Sequence, residues 1–258
     1  MSRRWAGHTL AIIAGVLTAA IHAPPCAAEE NAAAARIEAM ANRLATTPRL
    51  AVTVDCAYDV LQASGEKIEF GERRELTLRR PDRTRFDVMR RDGTRRGLVF
   101  DGQRLTVFDL DAKVYAVLEK PGTVDAALAY YTHDLHMRLP LRELFAADLP
   151  QHLRGLIGSA RLVGRETIAG VATDHVAFRG EAADVQLWIA REGDPLPQRI
   201  VITYRLAAGT PQFAGDFRNW NFNPDVPDSA FTFAPLADMQ RIPILKPGGE
   251  PAVGEKQP

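Results

Sequence analysis

Residues 50–60 read Leu50-Ala51-Val52-Thr53-Val54-Asp55-Cys56-Ala57-Tyr58-Asp59-Val60, and the fold turns on this run. Leu50, Val52, Val54, Cys56, Tyr58 and Val60 are apolar, while the residues between them are small or polar. Successive strand side chains point to opposite faces, so a period of two predicts a strand with one buried and one wet face. Similar runs follow at Lys67–Arg79, Thr84–Arg91, Arg95–Phe100, Gln103–Leu110 and Lys113–Leu118. They are separated by Ser64-Gly65, Pro81-Asp82, Asp92-Gly93, Asp101-Gly102 and Asp111-Ala112. Links this short suit hairpins and cannot carry parallel crossovers, which predicts an antiparallel meander.

Upstream, Asn31 to Thr47 is alanine-rich, with Ile37, Met40 and Leu44 on one helical face and Pro48 as a stop. Downstream, Pro121 ends the strands and Thr123 is the expected N-cap of a helix carrying Val124, Leu128, Tyr131, Leu135 and Leu139. Pro140 and Pro150 open two further short helices, over Leu141–Ala147 and Gln151–Ile157. The strand period then returns at Ala160–Glu166, Asp174–Phe178, Asp184–Ala190, Gln198–Leu206, Gln212–Phe222 and Ala230–Phe233. No composition shift divides the chain. The expected organisation is α+β in one domain over 29–245, with an N-terminal helix, about eleven antiparallel strands and a helical insert.

The two ends read differently. Arg3 and Arg4 precede an uncharged apolar run from Thr9 to Ile21, and Ala27-Ala28 supply small residues for cleavage. That is the pattern of a secretory signal over residues 1–28, too short for a membrane span and interrupted by Pro24-Pro25. His22-Ala23-Pro24-Pro25 before Cys26 does not suit lipidation, so Cys26 is expected to leave with the signal. The expected location is the bacterial periplasm, and the single remaining thiol, Cys56, cannot form an intrachain disulfide. Residues 246–258, rich in Gly, Pro and charge, are expected to be a flexible tail.

The 258 residues carry 32 basic and 32 acidic side chains, with 46% hydrophobic residues, an ordinary globular balance. Two cysteines exclude a disulfide-stapled miniprotein and a Cys-rich zinc module. Enzyme chemistry finds little support. Ser64, Ser159 and Ser229 lack a nucleophile elbow, and neither a phosphate loop nor a dinucleotide fingerprint is present. Cys56 sits among alternating apolar residues, which predicts a buried, inert thiol. His133 and His136 lie three apart on the expected central helix, a spacing that suits two metal ligands but more often marks a solvated flank. No catalytic residue, metal or cofactor is predicted.

Charge concentrates between Arg73 and Arg104, where eleven arginines face five acids. Such a stripe suits anionic headgroups or an acidic partner, yet a sheet's outer face pairing its arginines with acids explains it more simply. A nucleic-acid surface is not expected, since interleaved exposed aromatics are missing. Along the second strand the even positions read Ile68, Phe70, Glu72, Arg74, Leu76, Leu78. Unless a bulge intervenes at Gly71, Glu72 and Arg74 point inward and must pair or line a polar gap at the rim.

Several stretches carry a family resemblance: Phe100-Asp101-Gly102-Gln103-Arg104-Leu105-Thr106-Val107-Phe108-Asp109, the helix entry from Tyr115 through Leu128, and Ser159 through Ile168. Asp174 through Arg179, Gln186 through Ile189, Pro195 through Tyr204 and Pro227 through Pro235 extend it. On these residues the chain resembles the predicted periplasmic proteins grouped with the lipoprotein carrier and receptor (Lol-type) fold. The resemblance implies an open, strongly curved antiparallel half-barrel with helices covering its concave face, a space that accepts acyl chains in the carriers. It transfers no catalytic residue.

The functional expectation is therefore a non-enzymatic carrier for a hydrophobic small molecule, lipid or lipidated protein, with peripheral membrane contact possible. The cleft would be lined by Val52, Val54, Tyr58, Phe70, Phe86, Val88, Ile200, Ile202 and Tyr204. Leu128, Tyr131 and Leu135 would form its lid, and Glu72 and Arg74 its polar rim. The alternative is an interaction module with a closed core that engages another envelope protein.

Overall fold

The protein is described by a computed structural model over residues 27–245, with side chains from Asn31 onward. The basic start, the apolar run, Cys26 and the tail beyond 245 lie outside the described residues. Helix α1 (Ala27–Ala45) leads into a first meander: β1 (Arg49–Leu61), β2 (Lys67–Arg79), β3 (Arg83–Arg90), β4 (Arg95–Phe100), β5 (Arg104–Asp109) and β6 (Val114–Glu119). After the helical insert comes a second: β7 (Arg161–Ile168), β8 (Val171–Arg179), β9 (Ala183–Ala190), β10 (Pro197–Tyr204) and β11 (Gln212–Asn221). The two join because β11 returns to pair with β1, giving one sheet in the order β12-β6-β5-β4-β3-β2-β1-β11-β10-β9-β8-β7. The outermost strands do not pair with each other, so the half-barrel stays open. Strand β12 (Gln240–Arg241) raises the expected eleven strands to twelve and is the one parallel addition, on the β6 edge.

The pairing of β1 with β2 runs without a break from Arg49↔Arg79 to Leu61↔Lys67, so Gly71 carries no bulge and every even residue of both strands faces inward. The glycine the sheet requires is Gly97. A Cβ there would lie 2.5 Å from both the Phe108 ring and the Phe86 carbonyl.

The inner face is covered by α1 and the insert. Ala33, Ile37, Met40, Ala41 and Leu44 of α1 are fully buried. Each large side chain among them contributes about 1.5–3 kcal/mol on leaving water. The helix is fixed laterally by Arg43, whose guanidinium donates to both Asp194 oxygens at 2.8 and 2.9 Å, and by Arg36 at 3.0 Å from Asp174. Arg80 ties three parts together: it donates to the Thr47 carbonyl at 3.1 Å and the Phe145 carbonyl at 2.7 Å, and lies 3.6 Å from Asp125.

The insert departs from its expected form. Thr123 caps α2 (Val124–Ala129), accepting from the Ala126 amide at 3.2 Å, but the α-helix ends there. A π turn (Tyr130–Asp134) follows, and the chain then leaves helical geometry, with His136 at φ 51° and Leu141 at φ 71°. The continuous helix expected through Leu139 is therefore not formed, and His133 and His136 do not share a helical face. Leu141–Ala147 shrinks to a 3-10 turn (Arg142–Phe145), and the last helix is α3 (Leu149–Arg154). On the outer face, the strand expected at Ala230–Phe233 is instead a 3-10 turn (Asp228–Phe231) in a strap that crosses the sheet. Phe231 is fully buried beneath it, and the Phe233 ring stacks on Phe108 with centroids 4.5 Å apart.

Candidate functional site

Register and alternation set the inner face out in rows. The deepest holds Leu50, Leu78, Thr84, Phe100, Leu105 and Leu118, all buried. Next come Val52, Leu76, Phe86 and Leu98, again buried. Leu128, Tyr131 and Leu135 of the insert join the same continuous core, together with Val54 and Ile200. Val52, Val54, Phe86 and Ile200 are thus buried in a core that also holds residues of the insert. Two cavities of about 70 and 180 Å³ lie on the outer face, one under Phe231 and Phe233 and one beside Met89, Phe108 and Leu110.

Toward the other end of the strands the cover runs out. Tyr58 faces Phe70 across the β1–β2 ladder with ring centroids 6.3 Å apart, and Val60 faces Ile68. Tyr58 also pairs with Phe213, which pairs with Ile202. Tyr58, Val88 and Ile202 are half-buried, whereas Val60, Ile68, Phe70 and Tyr204 are 37–45% exposed. The expected cleft residues thus divide into a buried group and a partly exposed group on β1, β2, β3 and β10, with buried Phe213 of β11 between Tyr58 and Ile202. Met137 of the insert is also exposed.

Between the partly exposed group and the core sits a charged cluster. Glu72 and Arg74 face inward as expected, and they pair: Arg74 Nε donates to Glu72 Oε1 at 2.7 Å, and its Nη1 donates to the Pro140 carbonyl at 2.8 Å. The Glu72 side chain is 1% exposed. Its second oxygen has no hydrogen-bond partner and lies 3.6 Å from Arg96 Nη2. Arg90 stands opposite Glu72 in the β2–β3 ladder, and its buried Nε lacks a partner. Arg96 and Arg90 were not singled out from the sequence, although the even parity of β3 and β4 puts both inside. Burial pushes the Tyr131 hydroxyl's pKa up, against the opposing pull of Arg96 and Arg74. Tyr204 is raised by burial and by nearby Glu143, opposed by Arg74 and Arg138.

The remaining expectations fall as follows. Ten of the eleven arginines between Arg73 and Arg104 lie in ion pairs, Arg73 with Asp55 and Arg85 with Asp87 among them, so the stripe is largely a paired sheet surface. Burial pushes the Cys56 thiol up to about 12. Among the described residues no group of three or more potential ligands is placed to hold a metal ion. Among them, too, no helix is long and apolar enough to cross a membrane. On the outer face His175 lies between Glu166 (2.9 Å) and Gln186 (3.1 Å) and stacks on Trp188, whose Nε1 donates to Glu166 at 2.9 Å.

The sequence pattern of a family described as predicted periplasmic protein (DUF2092) matches residues 33–245. Among solved structures, the chain is similar to a LolA superfamily protein from Nitrosomonas europaea, at 14% identity over 78% of this chain and 97% of that one, with a TM-score of 0.39. It is similar to lipoprotein LppX of Mycobacterium tuberculosis, at 15% identity over 76% and 99%, with a TM-score of 0.45. The Pseudomonas aeruginosa MucA/MucB complex matches at 16% identity over 83% of this chain and 64% of that one, with a TM-score of 0.43. No curated protein matches the chain significantly.

Proposed function

The chain belongs to the family described as predicted periplasmic protein (DUF2092), and for this periplasmic protein we propose a non-enzymatic role, holding a hydrophobic ligand at the open end of its inner face. A lipid, an acyl chain or a lipoprotein anchor has the required chemistry. The observation that carries the reading is the row Val60, Ile68, Phe70 and Tyr204, exposed on the same face that elsewhere forms the core. Apolar side chains left exposed on a curved inner face suit a hydrophobic ligand. Burying it yields about 25 cal/mol per Å² removed from water. The packed residues Val52, Val54, Phe86 and Ile200 line the same face further in, and separation of the insert at Leu128, Tyr131 and Leu135 would extend the site to them. Residues 29–245 act as one domain in this reading, with the insert as the movable part.

Native mass spectrometry and solvent extraction of the purified protein test it, and a co-purifying hydrophobe is expected. Phe70→Ser with Ile68→Ser is expected to abolish saturable binding of a fluorescent fatty acid while the protein stays folded. Clean apo protein that ignores such probes would refute the reading. A second reading is an interaction module for another envelope protein, favoured by the tight union of insert and sheet in one core. A pull-down returning one stoichiometric partner without lipid would support it instead.

A further inference from the structure

The open row has a cationic end, and this bears on what it holds. Glu72, Arg74, Arg90 and Arg96 all face inward, three guanidinium groups around one carboxylate. Arg74 is committed to Glu72 and to the Pro140 carbonyl. The other two are not matched in this way. Arg96 is 44% exposed and no closer than 3.6 Å to Glu72, and the buried Nε of Arg90 has no acceptor. The flanking carboxylates turn one oxygen each to loop amides: Asp109, opposite Arg96, accepts from the amides of Asp111 and Ala112 at Oδ1, and Asp92 accepts from the Thr94 amide at Oδ1. The corner therefore holds a donor out of water without a partner and a half-exposed planar fork.

Phe70 is the next inward residue beyond Glu72 on β2 and lies diagonally across the ladder from Arg90. Diagonal neighbours are about 7–8 Å apart, within reach of long side chains. From there the apolar row crosses Tyr58 on β1 and the buried Phe213 on β11 to Ile202 on β10. Three strand spacings make this about 14 Å, a length suited to an extended alkyl chain.

We propose that the Arg90–Arg96 corner is a headgroup site and that the favoured occupant is a long-chain carboxylate, a fatty acid anion whose chain lies along Phe70, Ile68, Tyr58 and Val60. The proposal rests on the hydrophobic-ligand reading above and narrows it to one chemical class. A guanidinium reads a planar carboxylate through paired N–H donors, and a charge-assisted bond of this kind is among the stronger ones available. The carboxylate supplies the acceptor that Arg90 lacks and balances Arg96.

The test compares cis-parinaric acid with its methyl ester, two intrinsically fluorescent probes of one chain that differ in charge. The acid is expected to bind at least about tenfold tighter, the effect of one charge-assisted hydrogen bond. Arg90→Gln and Arg96→Gln, checked for unchanged melting, are expected to erase that margin and leave ester binding as it was. Equal affinity for acid and ester would overturn the proposal while leaving the hydrophobic-ligand reading intact. A preference that survives both substitutions, or a lysophosphatidic acid that outcompetes the fatty acid, would likewise overturn it. Failure of both probes to bind would overturn the broader reading with it.

Discussion

Arg74→Met removes the guanidinium that holds the inner-face cluster together while keeping most of the apolar stem. It deletes the 2.7 Å bond to Glu72 Oε1 and the 2.8 Å bond to the Pro140 carbonyl. Glu72 is then left 1% exposed with Arg96, at 3.6 Å, as its nearest paired cation. Removing one partner of a buried ion pair costs about 3–5 kcal/mol, because the survivor is charged and out of water. In a chain of this length each kcal/mol is worth roughly 2–4 °C, so the melting point should fall by about 6–20 °C. Glu72→Leu combined with Arg74→Met removes the stranded charge as well, and apolar replacement of a whole buried pair is often neutral or stabilising. The double variant should therefore lie within about 1 kcal/mol of wild type, the residual being the unmet Pro140 carbonyl. Urea unfolding followed by far-UV circular dichroism, with all four proteins of the cycle, measures the coupling. An Arg74→Met cost below about 1 kcal/mol, or single costs that simply add in the double variant, would refute the reasoning.

Phe231→Ala should destabilise by about 3–5 kcal/mol in the same unfolding assay, because the fully buried ring pins the outer-face strap and lies under Arg79 at 4.9 Å. Cys56 should resist thiol reagents until the protein unfolds. With its folded pKa raised from 9.0 to about 12, its contribution to stability is present below pH 9 and is lost as pH rises between the two values. Cys56→Val should flatten that part of the alkaline stability profile. Arg80→Met should cost about 2–4 kcal/mol by stripping the Thr47 and Phe145 carbonyls of their shared donor, and hydrogen exchange should quicken at the end of α1 and in the insert.

The sheet was legible because its signal is local. Six alternating positions in β1 and the parity of β2 placed Glu72 and Arg74 inside, and the unbroken register agrees. The insert was less legible for a reason its residues show. Leu128, Tyr131 and Leu135 have helical spacing and are buried, but the π turn and the left-handed backbone at His136 bring them inward without a continuous helix. The outer strap left little trace: β12 is two residues long, and Phe231 and Phe233 alternate like a strand although Phe231 ends a 3-10 turn. In the site, parity identified the face of Phe70 and Phe86 alike. It could not separate them, because Phe86 lies where the helical cover reaches and Phe70 where it does not.

The order of residues along β2 bears on function more than their composition does. From the core outward the inner face reads Leu78, Leu76, Arg74, Glu72, Phe70, Ile68, so the charges lie deeper than the last two apolar side chains. A strand that merely ended in water would be stabilised by the reverse order, with oil inside and charge at the tip. The observed order costs desolvation of Glu72 and Arg74 and leaves Phe70 and Ile68 partly wet despite their pairing with Tyr58 and Val60. β1 likewise ends in an exposed apolar side chain, Val60 beyond Tyr58, and β10 in Tyr204 beyond Ile202. Three strands wet at the same end of one face are hard to explain as fraying, since the β1–β2 ladder pairs through to Leu61↔Lys67. A guest with an apolar body and an anionic group would cover the wet side chains and supply the acceptor that the buried Nε of Arg90 lacks.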